Sequence, residues 1–205
     1  MATYQTNLSD RSDLGAVHIN SHLEDYESAR SGFFQFIVEG LEELVKPDFA
    51  LEQPESDDLI TNGSDVIRLS VDSASVPHFS VSDVTIERGN SVVHFAGKPQ
   101  WNSGRFVCRD LVGLHTKEVL MAWQRLTYDP ITDRGGRGIN YKKKCTLIEY
   151  TQDHVEIRRW DLIGAFPTGI EESDFDKTKG DEARQITVNI VYDRALPHSA
   201  AASAR

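Results

Sequence analysis

Cysteine is nearly absent from this chain: Cys108 and Cys145 are the only two among 205 residues. Two thiols so far apart exclude a disulfide framework and a four-ligand zinc site, and both read as buried thiols. Long apolar runs are absent too. None approaches the roughly 18 residues that span a bilayer, and the start, Met1-Ala2-Thr3-Tyr4-Gln5, lacks the regions of a secretory signal. The expectation is a soluble protein with no membrane role, in which the sequons at Asn7 and Asn62 carry no weight. Basic residues are scarce where acidic ones abound. Lys and Arg total 22 against 32 Asp and Glu, a net charge of −10. Residues 1–110 hold 8 basic and 18 acidic side chains and residues 111–205 hold 14 of each, so the whole excess lies in the first half. That sign argues against simple electrostatic capture of nucleic acid or of an anionic membrane.

Recognisable catalytic and ligand-binding patterns are missing as well. His18 and His22 stand four apart with Glu24 and Asp25 nearby, but there is no helical apolar stripe around them and no convincing third ligand, so no metal is expected. Gly135-Gly136-Arg137-Gly138 has the glycine content of a phosphate-cradling loop without the Lys-Ser or Lys-Thr that follows one, and reads as a flexible loop. Glu171, Glu172, Asp174 and Asp176 sit in a turn-rich connection with no matching nucleophile. They read as solvated carboxylates or as partners for a basic patch. No cofactor and no enzymatic activity are expected.

What is present is a composition that folds: 39% hydrophobic and 26% charged residues, on a length that suits one large domain with appendages. Residues 1–31 show no sustained period and read as an N-terminal arm; 32–196 form the domain; 197–205, Pro197 and the Ser/Ala-rich run after it, read as a flexible tail. Most segments between are short and β-like: Phe33 to Val38, Val66 to Val71, Val81 to Glu87, Val92 to Ala96, Arg105 to Arg109, Thr146 to Tyr150, Val155 to Ile163 and Ile186 to Tyr192. The last is clearest, because Ile186, Val188, Ile190 and Tyr192 alternate with the residues between them. Turn residues at Thr61-Asn62-Gly63-Ser64 and Arg88-Gly89-Asn90, with Pro47, Pro54, Pro99 and Pro167, punctuate segment ends. Thr116 to Tyr128 is the exception, a helix with Thr116 as cap, Val119, Ala122, Trp123 and Leu126 at helical spacing, and Asp129-Pro130 as stop. The fold class is mainly β, with one principal flanking helix.

One region is basic. Arg125, Arg134, Arg137, Lys142, Lys143 and Lys144 stand against Asp129 and Asp133. A solvated loop is one reading. The other is a patch that docks on an acidic protein surface, such as another copy's first half. A nucleic-acid site is disfavoured, since Tyr141 is the one nearby aromatic.

Several stretches of the second half, taken together, resemble the tail tube proteins of contractile-tailed bacteriophages. They are Ala122-Trp123 in the helix, Tyr150-Thr151, Trp160-Asp161-Leu162-Ile163-Gly164-Ala165-Phe166-Pro167-Thr168, Asp174-Phe175-Asp176, and the strand from Ile186 to Asp193. Phe33 to Leu41 resembles the family's first core strand, and the likeness covers about residues 33–196. It implies a β-sandwich or barrel with a flanking helix and six copies closing into a ring with a 24-stranded inner β-barrel. Rings would then stack into a tube through which DNA passes without specific binding. It also implies a tail sheath, baseplate and tail terminator proteins as partners, and a virion tail assembled in the host cytoplasm. Trp160, Gly164, Phe166 and Pro167 would be structural: Gly164 for close backbone approach, Phe166 as an apolar anchor, Pro167 to end the ladder. Arg134, Arg137, Lys142, Lys143 and Lys144 would be the candidate assembly contacts. Alternate positions of Val66 to Val71 and Val81 to Glu87, including Arg68 or Asp83, are expected to line an acidic bore that repels phosphates. The alternatives are the inner tube of a related device, a bacteriocin or type VI secretion system, and, from another class, a soluble ligand-binding β-barrel or enzyme.

Overall fold

The structure, a computed structural model, describes residues 30–45, 62–175 and 183–199. Most of the expected arm and the tail beyond Ser199 lie outside the described residues, as do His18, His22, Pro47, Pro54 and Asp176. In chain order the elements are β1 (Phe34–Val38), α1 (Gly63–Ser70), β2 (Val71–Ala74), β3 (Phe79–Arg88), β4 (Ser91–Trp101), β5 (Gly104–Arg109) and α2 (Thr116–Arg125). There follow β6 (Tyr128–Asp129), β7 (Arg134–Gly135), α3 (Gly138–Tyr141), β8 (Lys143–Tyr150), β9 (Glu156–Glu172), β10 (Gln185–Val191) and β11 (Arg194–Ser199).

Two antiparallel layers face each other. One is β1, β8, the first part of β9, and β11; the other is the last part of β9, β10, β5 and β2. Period-2 alternation turns Phe36, Val38, Cys145, Leu147 and Leu162 of the first layer onto Phe106, Cys108, Ile186, Val188 and Ile190 of the second. The rings of Phe36 and Phe106 meet across this core at 4.8 Å. Helix α2 adds Val119, Leu120 and Trp123, all buried at spacings of one and three residues on one face. The indole of Trp123 donates to the carbonyl of Tyr141 at 2.9 Å, which satisfies its one polar group.

Several expectations are corrected. Val66 to Val71 is not a strand: Gly63–Ser70 is helical, so there is a second helix of eight residues. Asn62 is its N-cap, its side-chain oxygen accepting from the Asp65 amide at 2.8 Å. Val66, Ile67 and Ser70 then fall on one buried face against β1 and α2. A short apolar run suits either period, and here the cap and the helical neighbour decide it. Helix α2 ends at Arg125, three residues early, and its N-cap position is His115 instead of Thr116. Pro99 and Pro167 stand inside β4 and β9, each where the ladder changes register. The final strand carries Pro197, His198 and Ser199 beyond the boundary expected at Leu196, paired with Trp160, Arg159 and Arg158 of β9.

Candidate assembly surfaces

β3 and β4 form a two-stranded ribbon that continues the β2–β5 ladder out of the sandwich. Ser75 donates its amide to the carbonyl of Arg105 and Asn102 to that of His78 across the joint. The turn at the far end is Gly89-Asn90, with Gly89 at φ +58°, as two-residue hairpin turns require. Every residue of β3 is exposed. Val84, Ile86, Val93 and Phe95 are each about half exposed, at 48%, 49%, 43% and 52%. A two-stranded hairpin in water is marginal by itself, and an apolar one is an open template for association. Nearer the turn, on the other face, the Asp83 carboxylate lies 2.8 Å from Nδ1 of His94. Arg68, expected in the same wall, is instead on α1, in an i,i+3 ion pair with Asp65.

The Trp160 to Thr168 stretch has a definite structural task. β9 pairs with β11 up to Ile163 and with β8 up to Ala165, and from Phe166 it pairs with β10, so one strand passes from the first layer to the second. The corner lies at Gly164, with φ +70°, where an added Cβ would land on the Asp193 carboxylate. Asp193 is held on the other side by Lys142 at 2.8 Å, and this pairing keeps the ammonium protonated to higher pH than usual. Phe166 packs edge-on against Tyr141 at 5.3 Å. Pro167 is buried opposite Ile190 where the β9–β10 register shifts; the strand continues to Glu172, so this proline marks a bulge and does not end the ladder. Trp160 packs at the margin of the core.

The basic stretch divides. Lys142 pairs with Asp193; Lys144 lies 3.2 Å from Glu39 and 3.8 Å from Asp161; Lys143 folds its stem over Gly40. These three are tied into the domain. Arg134, on the β6–β7 ladder, and Arg137, at the start of α3, are exposed, and neither makes an ion pair among the described residues. Two of the four carboxylates of the acidic connection have other partners within the domain: Glu172 binds Lys117 and Arg184, while Glu171 accepts from Asn189. Arg184 also reaches Asp110 and lies over the ring of Phe175.

Both thiols are buried, and burial pushes the Cys108 thiol up to about 12. Among the described residues no group of three or more His, Cys, Asp or Glu is placed to hold a metal, and no helix is long and apolar enough to cross a membrane.

Residues 72–195 match the family model described as T4-like virus tail tube protein gp19. No curated protein sequence matches significantly. Among solved structures, a chain of the anti-feeding prophage cap (AFP tube terminating cap) is similar at 15% identity and TM-score 0.58, over 85% of this chain and 93% of that one. A chain of an extracellular contractile injection system, the PVC sheath-tube complex in the extended state, is similar at 14% identity and TM-score 0.58, over 90% and 98%. At these identities the likeness is one of fold. The family match is broader evidence, since it runs from β2 to β11 and takes in the ribbon, α2, the basic stretch and the β9 corner. On that match, over more than half of its length, the chain belongs to the family of the T4-like virus tail tube protein gp19.

Proposed function

We propose that this tail tube protein is the tube subunit of a contractile phage tail, in which six copies close into a ring and stacked rings form the conduit for DNA ejection. One observation carries the reading: the exposed β3–β4 ribbon, an element that a lone subunit leaves without support. Ring closure through it gives each ribbon neighbours, removes the free strand edges, and builds toward the inner barrel of twenty-four strands. Head-to-tail stacking is a heterologous contact that propagates as a filament. Arg134 and Arg137 are the best placed of the basic candidates to meet the next ring or the enclosing sheath, with the baseplate and tail terminator at the two ends. Near the turn, the side of the ribbon that carries Asp83 and Glu87 turns to the bore, where carboxylates repel passing phosphates.

A second reading stays within the same class. The fold neighbours named for the anti-feeding prophage and for an extracellular contractile injection system favour a phage-like device, whose cargo need not be DNA. Light scattering and negative-stain electron microscopy of the purified chain over a concentration series test the shared core of both. Rings or tubes are expected, and a strict monomer under all conditions would contradict it. Nucleic acid inside purified particles separates the two.

A further inference from the structure

The ribbon changes its apolar face halfway along. Directly opposed residues of an antiparallel pair share a face, and successive residues of a strand alternate. Near the sandwich the opposed pairs are Phe79 with Trp101 and Val81 with Pro99. Phe79 and Trp101 touch edge to face at 5.1 Å, and Trp101 reaches the ring of Tyr192 in the subunit's own core at 6.1 Å. Toward the turn the opposed pairs are Val84 with Phe95 and Ile86 with Val93. On β3, positions 79 and 81 share the face of Asp83, Thr85 and Glu87, so Val84 and Ile86 stand on the other.

On β4 the sequence shows no such break. Trp101, Pro99, Gly97, Phe95 and Val93 follow an unbroken period of two, which in a regular ladder would put all five on one face. The extra residue at Gly97-Lys98, opposite Ser82, moves Phe95 and Val93 across to meet Val84 and Ile86. Gly97 allows the close approach this needs: a Cβ there would crowd the Ser82 hydroxyl and lie 2.8 Å from the Ser82 carbonyl oxygen.

We infer that the bulge at Gly97-Lys98 divides the ribbon into two docking units. The base is seated on its own subunit through Trp101 and Tyr192, and the tip presents Val84, Ile86, Val93 and Phe95 on the opposite face to a second copy of this chain. The inference rests on the tube reading and adds to it which face binds and which residue sets that face. The occupant is a second copy because the base already reaches the subunit's own core while the tip's apolar face stays open, and an apolar face on a hairpin exposed on both sides needs a protein surface to cover it.

The test uses the full chain and three variants, read by light-scattering mass over a concentration series and by thermal unfolding. Val84→Ser with Phe95→Ser is expected to lose the assembled species while the melting temperature stays that of the wild type at a concentration where both are monomeric. Thr85→Ser with His94→Ser, the same kind of change on the polar face, is expected to assemble as the wild type does. Gly97→Val is expected to lose assembly without loss of the folded domain. Equal assembly of the Val84/Phe95 variant, or equal loss in the Thr85/His94 variant, would overturn the face assignment while leaving the tube reading intact. Normal assembly of Gly97→Val would overturn the role of the bulge. A wild-type chain that never assembles overturns the tube reading itself.

Discussion

Gly164 is where the two layers of the domain depend on a single residue. Its φ of +70° costs an L-residue about 1–2 kcal/mol, and the Asp193 carboxylate occupies the space a side chain would need. Gly164→Ala is therefore expected to destabilise the domain by about 2–3 kcal/mol, read as a clear fall in melting temperature; an unchanged melting temperature would show that the corner can relax. The thiols give a second prediction. With Cys108 pushed up to about 12 by burial, the unfolded chain ionises this group near its ordinary value of 9.0 while the folded chain does not. Its contribution to stability is thus complete below pH 9 and declines as pH rises toward 12. Two slow thiols in a labelling assay at neutral pH, both fast after denaturation, would agree; a fast thiol in the native protein would not. The burial of these residues was legible from their scarcity. The role of Gly164 was legible in part, as close backbone approach, but Asp193 as the group it must avoid depends on a partner 29 positions away that no local pattern reveals.

At the scale of elements, the strands with one buried face were readable and the ends and crossings were not. Gln185–Val191 shows its alternation outright, because one face meets the core and the other does not. Glu156–Glu172 does not, since it serves two layers and its burial pattern changes at the corner. Residues 66–71 carry a run that suits a strand, yet the Asn62 cap and the α2 surface make all of it but Val71 helical. Asn62→Ala is expected to cost about 1 kcal/mol by removing the acceptor for the Asp65 amide, while Asn62→Ser, which keeps a capping oxygen without setting a second carboxylate against that of Asp65, should retain most of the stability; equal melting of wild type and Asn62→Ala would remove the cap from the account. The ribbon was partly legible: its two strands and its glycine turn were, and its face switch was not, because the bulge exists only in the pairing of β3 with β4.

At the scale of the molecule, the net charge of −10 is unevenly carried. The described residues hold 19 acidic and 17 basic side chains, a net of −2, so most of the excess belongs to residues outside the described ones. The ribbon itself holds Asp83 and Glu87 against Arg88 and Lys98 and is balanced. The described part of the domain is therefore close to neutral, and the proposed association through its ribbon would be governed by apolar burial more than by long-range charge. Raising salt is accordingly expected to leave assembly intact or strengthen it, as followed by scattering; dissociation at high salt would point to ionic contacts instead. The most direct measurement of the whole account is a three-dimensional electron-microscopy reconstruction of the assembled protein. The account predicts a ring of six copies with the β3–β4 ribbon in the inner wall, Val84, Ile86, Val93 and Phe95 against the neighbouring copy, and Asp83 and Glu87 toward the bore. A ring or tube with the ribbon on its outer surface and those four apolar residues in solvent would contradict it.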